Sequence, residues 1–193
     1  MLSITRSMAL GQNGERRKGS LIFSGCGYFH WRRLATLFQE AFPFLSLNEL
    51  SFVLRNSKEN TRLCFAGKDL VGFYSYQPGK APGVVWLNFI AVRRDYRNSG
   101  IGKGLLEKLD EEVSQKGFSR IELAVYKGNS TAIRLYERCG YTRLPRAGEK
   151  WTYYKEIRPR PTAGRDKGEP SRGPFHILRK SSRWLAYRIL VLF

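Results

Sequence analysis

The stretch VVWLNFIAVRRDYRNSGIGKGLLE, residues 84–107, decides the fold. Its first nine residues form an apolar run of strand length, rich in β-branched and aromatic side chains, which predicts a buried strand. Three glycines follow it, where the backbone must approach something closely. A helix is predicted next, because apolar residues recur at helical spacing, at Leu105, Leu106, Leu109 and Val113. Bare amides at a helix N-terminus bind anions, and diphosphate is the usual one, so this loop is predicted to hold a diphosphate.

Two common nucleotide motifs do not fit this loop. The dinucleotide fingerprint G-x-G-x-x-G fails because its third glycine comes one residue early, at Gly104, and Leu105 holds its place. The P-loop requires Ser or Thr after its lysine, whereas Gly104 follows Lys103. Both interpretations are excluded on spacing. A plain glycine turn that only links strand to helix stays as the alternative to a diphosphate site.

A second segment helps to distinguish a diphosphate site from a plain glycine turn. The sequence RIELAV at residues 120–125 predicts another strand, and NSTAIRLYERCGY follows at residues 129–141. R-x-x-G-x-G after an apolar strand, followed by N-x-x-A-x-x-L-Y-E-x-x-G-[FY], resembles the signature of the GNAT N-acetyltransferase superfamily. Every position of the second motif is matched. The resemblance covers about residues 20–157. Within the superfamily, the chain is broadly similar to the ribosomal-protein N-terminal acetyltransferases.

The resemblance implies the fold class. It is an α/β fold, with a mixed, mostly antiparallel sheet that is splayed at its central parallel strands and carries helices on both faces. Apolar patterning in this sequence supports such elements. Further strands are predicted near residues 20–23, 62–66, 70–76, 140–142 and 151–157, and helices over residues 28–42, 46–54 and 129–139, with one more ending near Gly117.

The resemblance also implies acetyl-coenzyme A (acetyl-CoA) as co-substrate. Its pyrophosphate would lie on the amides of residues 99–104, with Arg97 and Lys103 adding charge or simply being solvated. A backbone amide near Ala91 or Val92 would point at the thioester carbonyl, and the peptide-like pantetheine arm would pair with the splayed strand. Asn129 would either bind that arm or cap its helix. The predicted cofactor-binding residues are Ile90, Ala91, Val92, Arg97, Asn98, Ser99, Gly100, Ile101, Gly102, Lys103, Gly104, Asn129 and Ala132.

Catalysis requires an acid for the departing thiolate and a base for the amine. The resemblance assigns the acid to Tyr136, whose phenol has a pKa near 10 and can donate at neutral pH; the alternative is a buried aromatic that only packs. The base is less evident, since the central strand offers only Asn88, and the position of the ribosomal relatives' glutamate matches Ala124. Glu122 lies two residues earlier on the same strand face and is the candidate, acting through a water. Otherwise it is an exposed strand carboxylate, and solvent deprotonates the amine.

The implied function is transfer of an acetyl group to a primary amine. A protein N-terminal or lysine amine is the first choice of acceptor, and a small-molecule amine or aminoglycoside is the second. The helical pair would border the acceptor site, so the turn at residues 42–47 is predicted to line it. A non-catalytic module that senses acyl-CoA and binds RNA or membrane is the alternative of another class, and a homodimer is possible for either.

The charge of the chain is strongly basic and unevenly distributed. The 193 residues carry a net charge of +18. Basic and acidic residues number four and one in residues 1–19 (+3), 21 and 13 in residues 20–157 (+8), and nine and two in residues 158–193 (+7). Such ends attract anions, so weak association with RNA, the ribosome or an anionic membrane is predicted.

Composition also suggests the domain limits and the compartment. We predict a basic, disordered leader at residues 1–19, the acetyltransferase domain at 20–157, a linker rich in Pro, Gly and charge at 158–174, and a basic amphipathic segment at 175–193. No apolar run approaches the ~20 residues that span a bilayer. The three cysteines lack metal spacing, which predicts no metal site and fits a reducing cytoplasm. Cys139 is expected to be a small packed residue and not a nucleophile.

Overall fold

The computed structural model describes residues 20–27, 30–145 and 148–160. In this part of the chain seven strands and four α-helices alternate. They are β1 (Leu21–Gly25), α1 (Trp31–Ala41), α2 (Leu47–Ser57), β2 (Thr61–Ala66), β3 (Asp69–Pro78), β4 (Val84–Val92), α3 (Ile101–Gln115), β5 (Arg120–Tyr126), α4 (Ser130–Arg138), β6 (Thr142–Leu144) and β7 (Lys150–Glu156). Each strand and helix predicted from the sequence is found, with shifted ends.

The strands form one sheet in the order β1-β2-β3-β4-β5-β7-β6. Neighbouring strands run antiparallel except for β4 and β5, which are parallel. The chain makes this parallel step through α3, since a parallel pair needs a crossover connection. The sheet is therefore mixed and mostly antiparallel, as predicted.

The parallel pair comes apart part way along, as predicted. Pairing between β4 and β5 is confined to Val84–Arg120, Val85–Ile121 and Trp86–Glu122. Beyond these three pairs β4 continues to Val92 and β5 to Tyr126 without pairing to each other. We call the opening between the two strands the fork. Its β4 edge presents backbone groups to which an extended chain can bind.

Two hydrophobic cores cover the two faces of the sheet. The α3–α4 core contains Val85, Leu87, Ile90 and Val92 of β4. The α1–α2 core contains Phe89 and Ala91 of the same strand, together with Phe38 of α1 and Phe42 at the end of that helix. The alternation of faces along β4 therefore changes phase between Leu87 and Phe89. A bulge explains the change, because β3 pairs Tyr76 with Leu87 and Ser75 with Phe89, which leaves Asn88 between them.

Helix α3 packs closely on β3 at Gly72. A Cβ added at this glycine would lie 2.9 Å from the Ala91 carbonyl oxygen and 3.0 Å from Leu105 Cδ1. Ile101 Cγ2, at the start of α3, would lie at 3.6 Å. Gly72 is paired with Val92, the last residue of β4. The N-terminus of α3 is thus held beside the end of the central strand.

We expect Gly72→Ala to destabilise the fold by about 1–3 kcal/mol, because the backbone of β4 or helix α3 must shift to admit the methyl group. Urea denaturation followed by circular dichroism measures the change. Gly128→Ala is the matched control, since a Cβ there meets no atom within 4 Å. Equal stability of the two variants would contradict this packing argument.

The described domain continues slightly past β7. Ser114 Oγ donates to the Arg158 carbonyl at 2.7 Å, and the Arg160 amide donates to the Ser114 carbonyl at 3.1 Å. The first residues of the predicted linker therefore pack on α3. The predicted leader, the rest of the linker and the segment at residues 175–193 lie outside the described residues. In the described part, no helix has the length and apolar character needed to cross a membrane.

Candidate active site

The loop between β4 and α3 is a compact turn fixed by its own hydrogen bonds. Arg97 Nε donates to the Val92 carbonyl at 3.2 Å, and Ser99 Oγ donates to the Tyr96 carbonyl. Asn98 and Gly100 both have left-handed backbones, with φ of 59° and 83°. This conformation reverses the chain from the end of the strand into the helix. Arg97 is therefore part of the turn, a role that neither sequence interpretation gave it.

The first turn of α3 presents the predicted anion-binding amides. Helix α3 begins at Ile101. The Gly104 amide donates to the Gly100 carbonyl at 3.0 Å and so closes the first helical turn. The amides of residues 101–103 precede any such partner in the helix and point out of its N-terminus, where the helix dipole favours an anion. Lys103 is exposed, and its ammonium lies 3.8 Å from Glu107.

The open end of the fork lies at the end of β4 nearest this loop. Ile90, Ala91 and Val92 are buried, and their side chains are divided between the two cores. Their backbone faces β3 on one side and the fork on the other. The structure thus brings the predicted pantetheine edge and the predicted pyrophosphate loop together.

Helix α4 follows β5, the strand on the other side of the fork. Asn129 Oδ1 accepts a hydrogen bond from the Ala132 amide at 3.1 Å, which is the geometry of an N-cap. Of the two predicted roles for Asn129, the structure displays the cap. Ala132 is fully buried in the α3–α4 core.

Tyr136, the predicted acid, is fully buried on α4. Its ring packs edge-on to Tyr141 at a centroid distance of 5.5 Å and lies 6.3 Å from Tyr153. Burial raises the pKa of the Tyr136 phenol well above 10, because the phenolate is poorly solvated there. The phenol therefore keeps its proton across the neutral range, which is the state that an acid requires.

Glu122, the predicted base, lies at the closed end of the fork. It pairs with Trp86 in the last parallel pair and lies opposite Tyr154 of β7. Its side chain is 22% exposed, and one carboxylate oxygen is 3.6 Å from Arg120. Ala124 is buried on the same strand face, two residues further along. The strand thus holds a methyl group nearer the open fork and a partly solvated carboxylate behind it.

The α1–α2 turn, which is predicted to line the acceptor site, forms a rim beside the end of β5. Phe44 in this turn is 53% exposed, and its ring lies 6.3 Å from Tyr126 at the end of β5 in an edge-on arrangement. Lys150 of β7 lies over the same tyrosine ring at 4.6 Å. The sequence indicated the turn but not Tyr126 or Lys150, because only the sheet brings these three segments together.

Within the described part of the chain, metal-ligating side chains and thiols are also candidates for a second site. Among the described residues, no group of three or more His, Cys, Asp and Glu side chains is placed to hold a metal ion. Cys26, Cys64 and Cys139 are free thiols. Burial raises the pKa of the Cys139 thiol, although nearby Lys155 partly opposes this. A raised pKa disfavours the nucleophilic thiolate, which agrees with a packing role.

Known proteins are similar to this chain in sequence and in fold. The model of the acetyltransferase (GNAT) family matches residues 31–141. The probable spermine N(1)-acetyltransferase of Bacillus subtilis subsp. natto (strain BEST195) is 29% identical over 119 residues, which are 50% of this chain and 75% of that protein.

Two solved structures are similar in fold. The ribosomal-protein-S18-alanine N-acetyltransferase from Escherichia coli superposes with a TM-score of 0.60 at 22% identity, over 77% of this chain and 99% of that one. The PaiA N-acetyltransferase from Thermoplasma acidophilum, in complex with coenzyme A, superposes with a TM-score of 0.59 at 19% identity, over 72% and 99%. At these identities the superpositions establish the fold alone.

Proposed function

The chain belongs to the GNAT family of acetyltransferases, and on that premise we propose that it acetylates the terminal α-amine of a protein chain. As an acetyl-CoA-dependent N-acetyltransferase, it moves the acetyl group of acetyl-CoA to an amine. The identity of the accepting amine is what we propose here. A protein lysine amine is the nearest variant of the proposed acceptor.

The observation that carries the proposal is the lack of a positioned base among the β4 and β5 residues that line the open fork. Ala124 and Asn88 hold the strand positions there, and Glu122 lies behind them beside Arg120. A terminal α-amine has a pKa near 7.8, so roughly a third of it is neutral at pH 7.5, against about 0.1% of a lysine-type amine. An α-amine therefore needs far less help from a base than a lysine or polyamine does.

The charges of the acceptor face favour the same choice. On β5 and β7, the basic side chains of Arg120, Lys150 and Lys155 outnumber the two carboxylates, Glu122 and Glu156. Arg120 pairs with both carboxylates, at 3.6 Å and 2.5 Å. A polyamine carries several positive charges and would be repelled unless carboxylates outnumbered cations. A peptide presents one amine and a neutral backbone, which fits the strand edges and the Phe44 rim.

The proposed mechanism assigns one task to each part of the site. The amides of residues 101–103 bind the pyrophosphate, and the β4 edge of the fork binds the pantetheine arm. The neutral amine attacks the thioester carbonyl carbon and forms the new C–N bond. The amine loses its proton to a water molecule, and Glu122 accepts a proton from that water. When the C–S bond breaks, the thiolate takes the proton of Tyr136.

The test compares acceptors that differ only in their amine. One peptide carries a free N-terminus and no lysine, and its matched partner is blocked at the N-terminus and carries one internal lysine. Spermine and spermidine complete the set. We expect kcat/KM, measured by thiol release at pH 7.5, to be about 10²-fold higher for the free N-terminus, in proportion to the neutral amine. A higher value for spermine would overturn the proposal.

The second candidate is a small-molecule amine, including a polyamine or aminoglycoside. The sequence similarity to the Bacillus spermine N(1)-acetyltransferase favours it. The cationic acceptor face opposes it. Thermal stabilisation by acetyl-CoA without thiol release from any amine of the set would instead favour the acyl-CoA-sensing alternative.

The predicted partners beyond the acceptor remain predictions. Association with RNA, the ribosome or an anionic membrane was assigned to the basic ends, and nearly all of those residues lie outside the described part. The predicted homodimer is independent of the acceptor proposal. Binding of the full chain to anionic vesicles and to RNA at two salt concentrations would measure the first of these associations.

A further inference from the structure

Asn88 has a unique place in the central strand. It is the one residue of β4 that is paired with neither neighbouring strand. The β3 register passes from Leu87 to Phe89 without it, and the β5 register stops at Trp86. Asn88 is therefore the bulged residue of the strand, and it lies two residues beyond the last pair between β4 and β5.

The side chain of Asn88 is buried without satisfying its donor. The residue is 1% exposed. Its Nδ2 is buried and has no hydrogen-bond partner among the residues that the structure describes. Leaving a buried donor unpaired destabilises a protein, so native structures seldom keep one without a reason. A ligand that supplies the acceptor oxygen is such a reason.

The length of the fork places the reacting thioester at Asn88. The pyrophosphate amides lie beside Val92, since α3 packs on Gly72, the partner of Val92. Four residues separate Val92 from Asn88, about 13 Å of extended strand. The pantetheine arm has about a dozen chain atoms between pyrophosphate and sulfur, as many as four residues of peptide. An arm paired with β4 thus brings its thioester to the bulge, further along the strand than the amide near Ala91 or Val92 that the resemblance implied.

We infer that Asn88 Nδ2 donates a hydrogen bond to the carbonyl oxygen of the acetyl group and stabilises the oxyanion that forms there. This inference rests on the proposed amine acetylation in the same fork. When the amine nitrogen attacks the carbonyl carbon, the C=O π electrons move to oxygen, where Asn88 meets the new charge. When the C–S bond breaks, the C=O bond returns and Asn88 keeps its proton throughout.

Removing this donor has an unusual pair of expected effects. Asn88→Leu keeps the approximate volume and removes a buried unpaired donor, so the melting temperature of the free protein should be unchanged or higher. Turnover should fall about 10²- to 10³-fold, as for loss of one oxyanion donor. The fall in kcat should exceed any rise in the KM for acetyl-CoA, because the bond that already forms in the bound substrate strengthens as charge develops. A residue with a purely structural role would lower stability and would not split kcat from KM.

A spectroscopic test reads the bond directly and needs no acceptor amine. Acetyl-CoA labelled with ¹³C at the acetyl carbonyl is bound to each protein, and isotope-edited infrared difference spectra give the carbonyl stretch. We expect a lower frequency in the wild type than in Asn88→Leu. Asn88→Ala provides the same comparison if the leucine variant does not fold. Asn56→Leu, on the exposed face of α2, is the control and should leave the frequency unchanged.

The outcomes separate this inference from the acceptor proposal. Equal carbonyl frequencies in wild type and in the Asn88 variants would overturn the role of Asn88 even if terminal amines are the best acceptors. A frequency difference supports Asn88 even if spermine proves the better acceptor. Unchanged kcat in Asn88→Leu, with chemistry rate-limiting, would also overturn it.

Discussion

Gly102→Asp is expected to abolish the rise in melting temperature that acetyl-CoA gives the wild-type protein. Gly102 lies in the first turn of α3, where the helix N-terminus faces the proposed pyrophosphate. Two opposite effects follow from a carboxylate at this position. It interacts favourably with the helix dipole, so the free protein should be as stable as the wild type or slightly more. It repels the pyrophosphate by about 4 kcal/mol for unit charges 4 Å apart at an effective dielectric constant of 20, which corresponds to about 10³ in affinity.

Thermal shift with and without acetyl-CoA measures both effects. A ligand at 100 times its Kd stabilises the native state by about 2.7 kcal/mol, and this stabilisation should vanish in the variant. Thr36→Asp, exposed on α1, changes the net charge equally and should leave the shift intact. An undiminished shift in Gly102→Asp would place the cofactor elsewhere.

The central part of the fold could be predicted because each of its elements is determined by residues that lie close together in the sequence. The apolar run of β4, the left-handed glycine at 100 and the cap at Asn129 each act within a few residues. The predicted order of strand, loop and helix was therefore confirmed. The parallel, splayed sheet was implied by the resemblance, and the register of β4 against β5 confirms it.

The remaining features depend on residues far apart in the chain. The bulge at Asn88 arises from the register of β4 on β3, which alternation along β4 alone does not specify. The contact between Phe44 and Tyr126 requires α1, α2 and β5 to meet on one side of the sheet. Gly72 appears as an ordinary strand glycine until α3 packs on it. The sequence thus predicts a cofactor loop but leaves the acceptor side largely undefined.

Tyr136→Phe is the second change with a large expected effect, a fall in turnover of roughly 10²-fold or more, the scale for losing a positioned acid. The substitution keeps the ring, so the packing on Tyr141 and Tyr153 is retained and the melting temperature should change little. Acetyl-CoA binding should survive, because the proposed pyrophosphate site at the amides of residues 101–103 does not include the phenol. The loss should therefore appear in kcat and not in the apparent affinity.

The pH profile and the leaving group test the assignment of Tyr136 further. Since burial raises the pKa of its phenol well above 10, the wild-type rate should show no alkaline fall from Tyr136 through the neutral range, and should rise instead as the acceptor amine loses its proton. A more acidic thiol leaves with less protonation, so an activated thioester donor should restore part of the rate of Tyr136→Phe. Tyr153→Phe is the matched control, because it removes the phenol that donates to Glu137 at 2.8 Å on the same side of the sheet. If Tyr136→Phe and the wild type turn over equally with chemistry rate-limiting, the thiolate takes its proton from water and Tyr136 only packs.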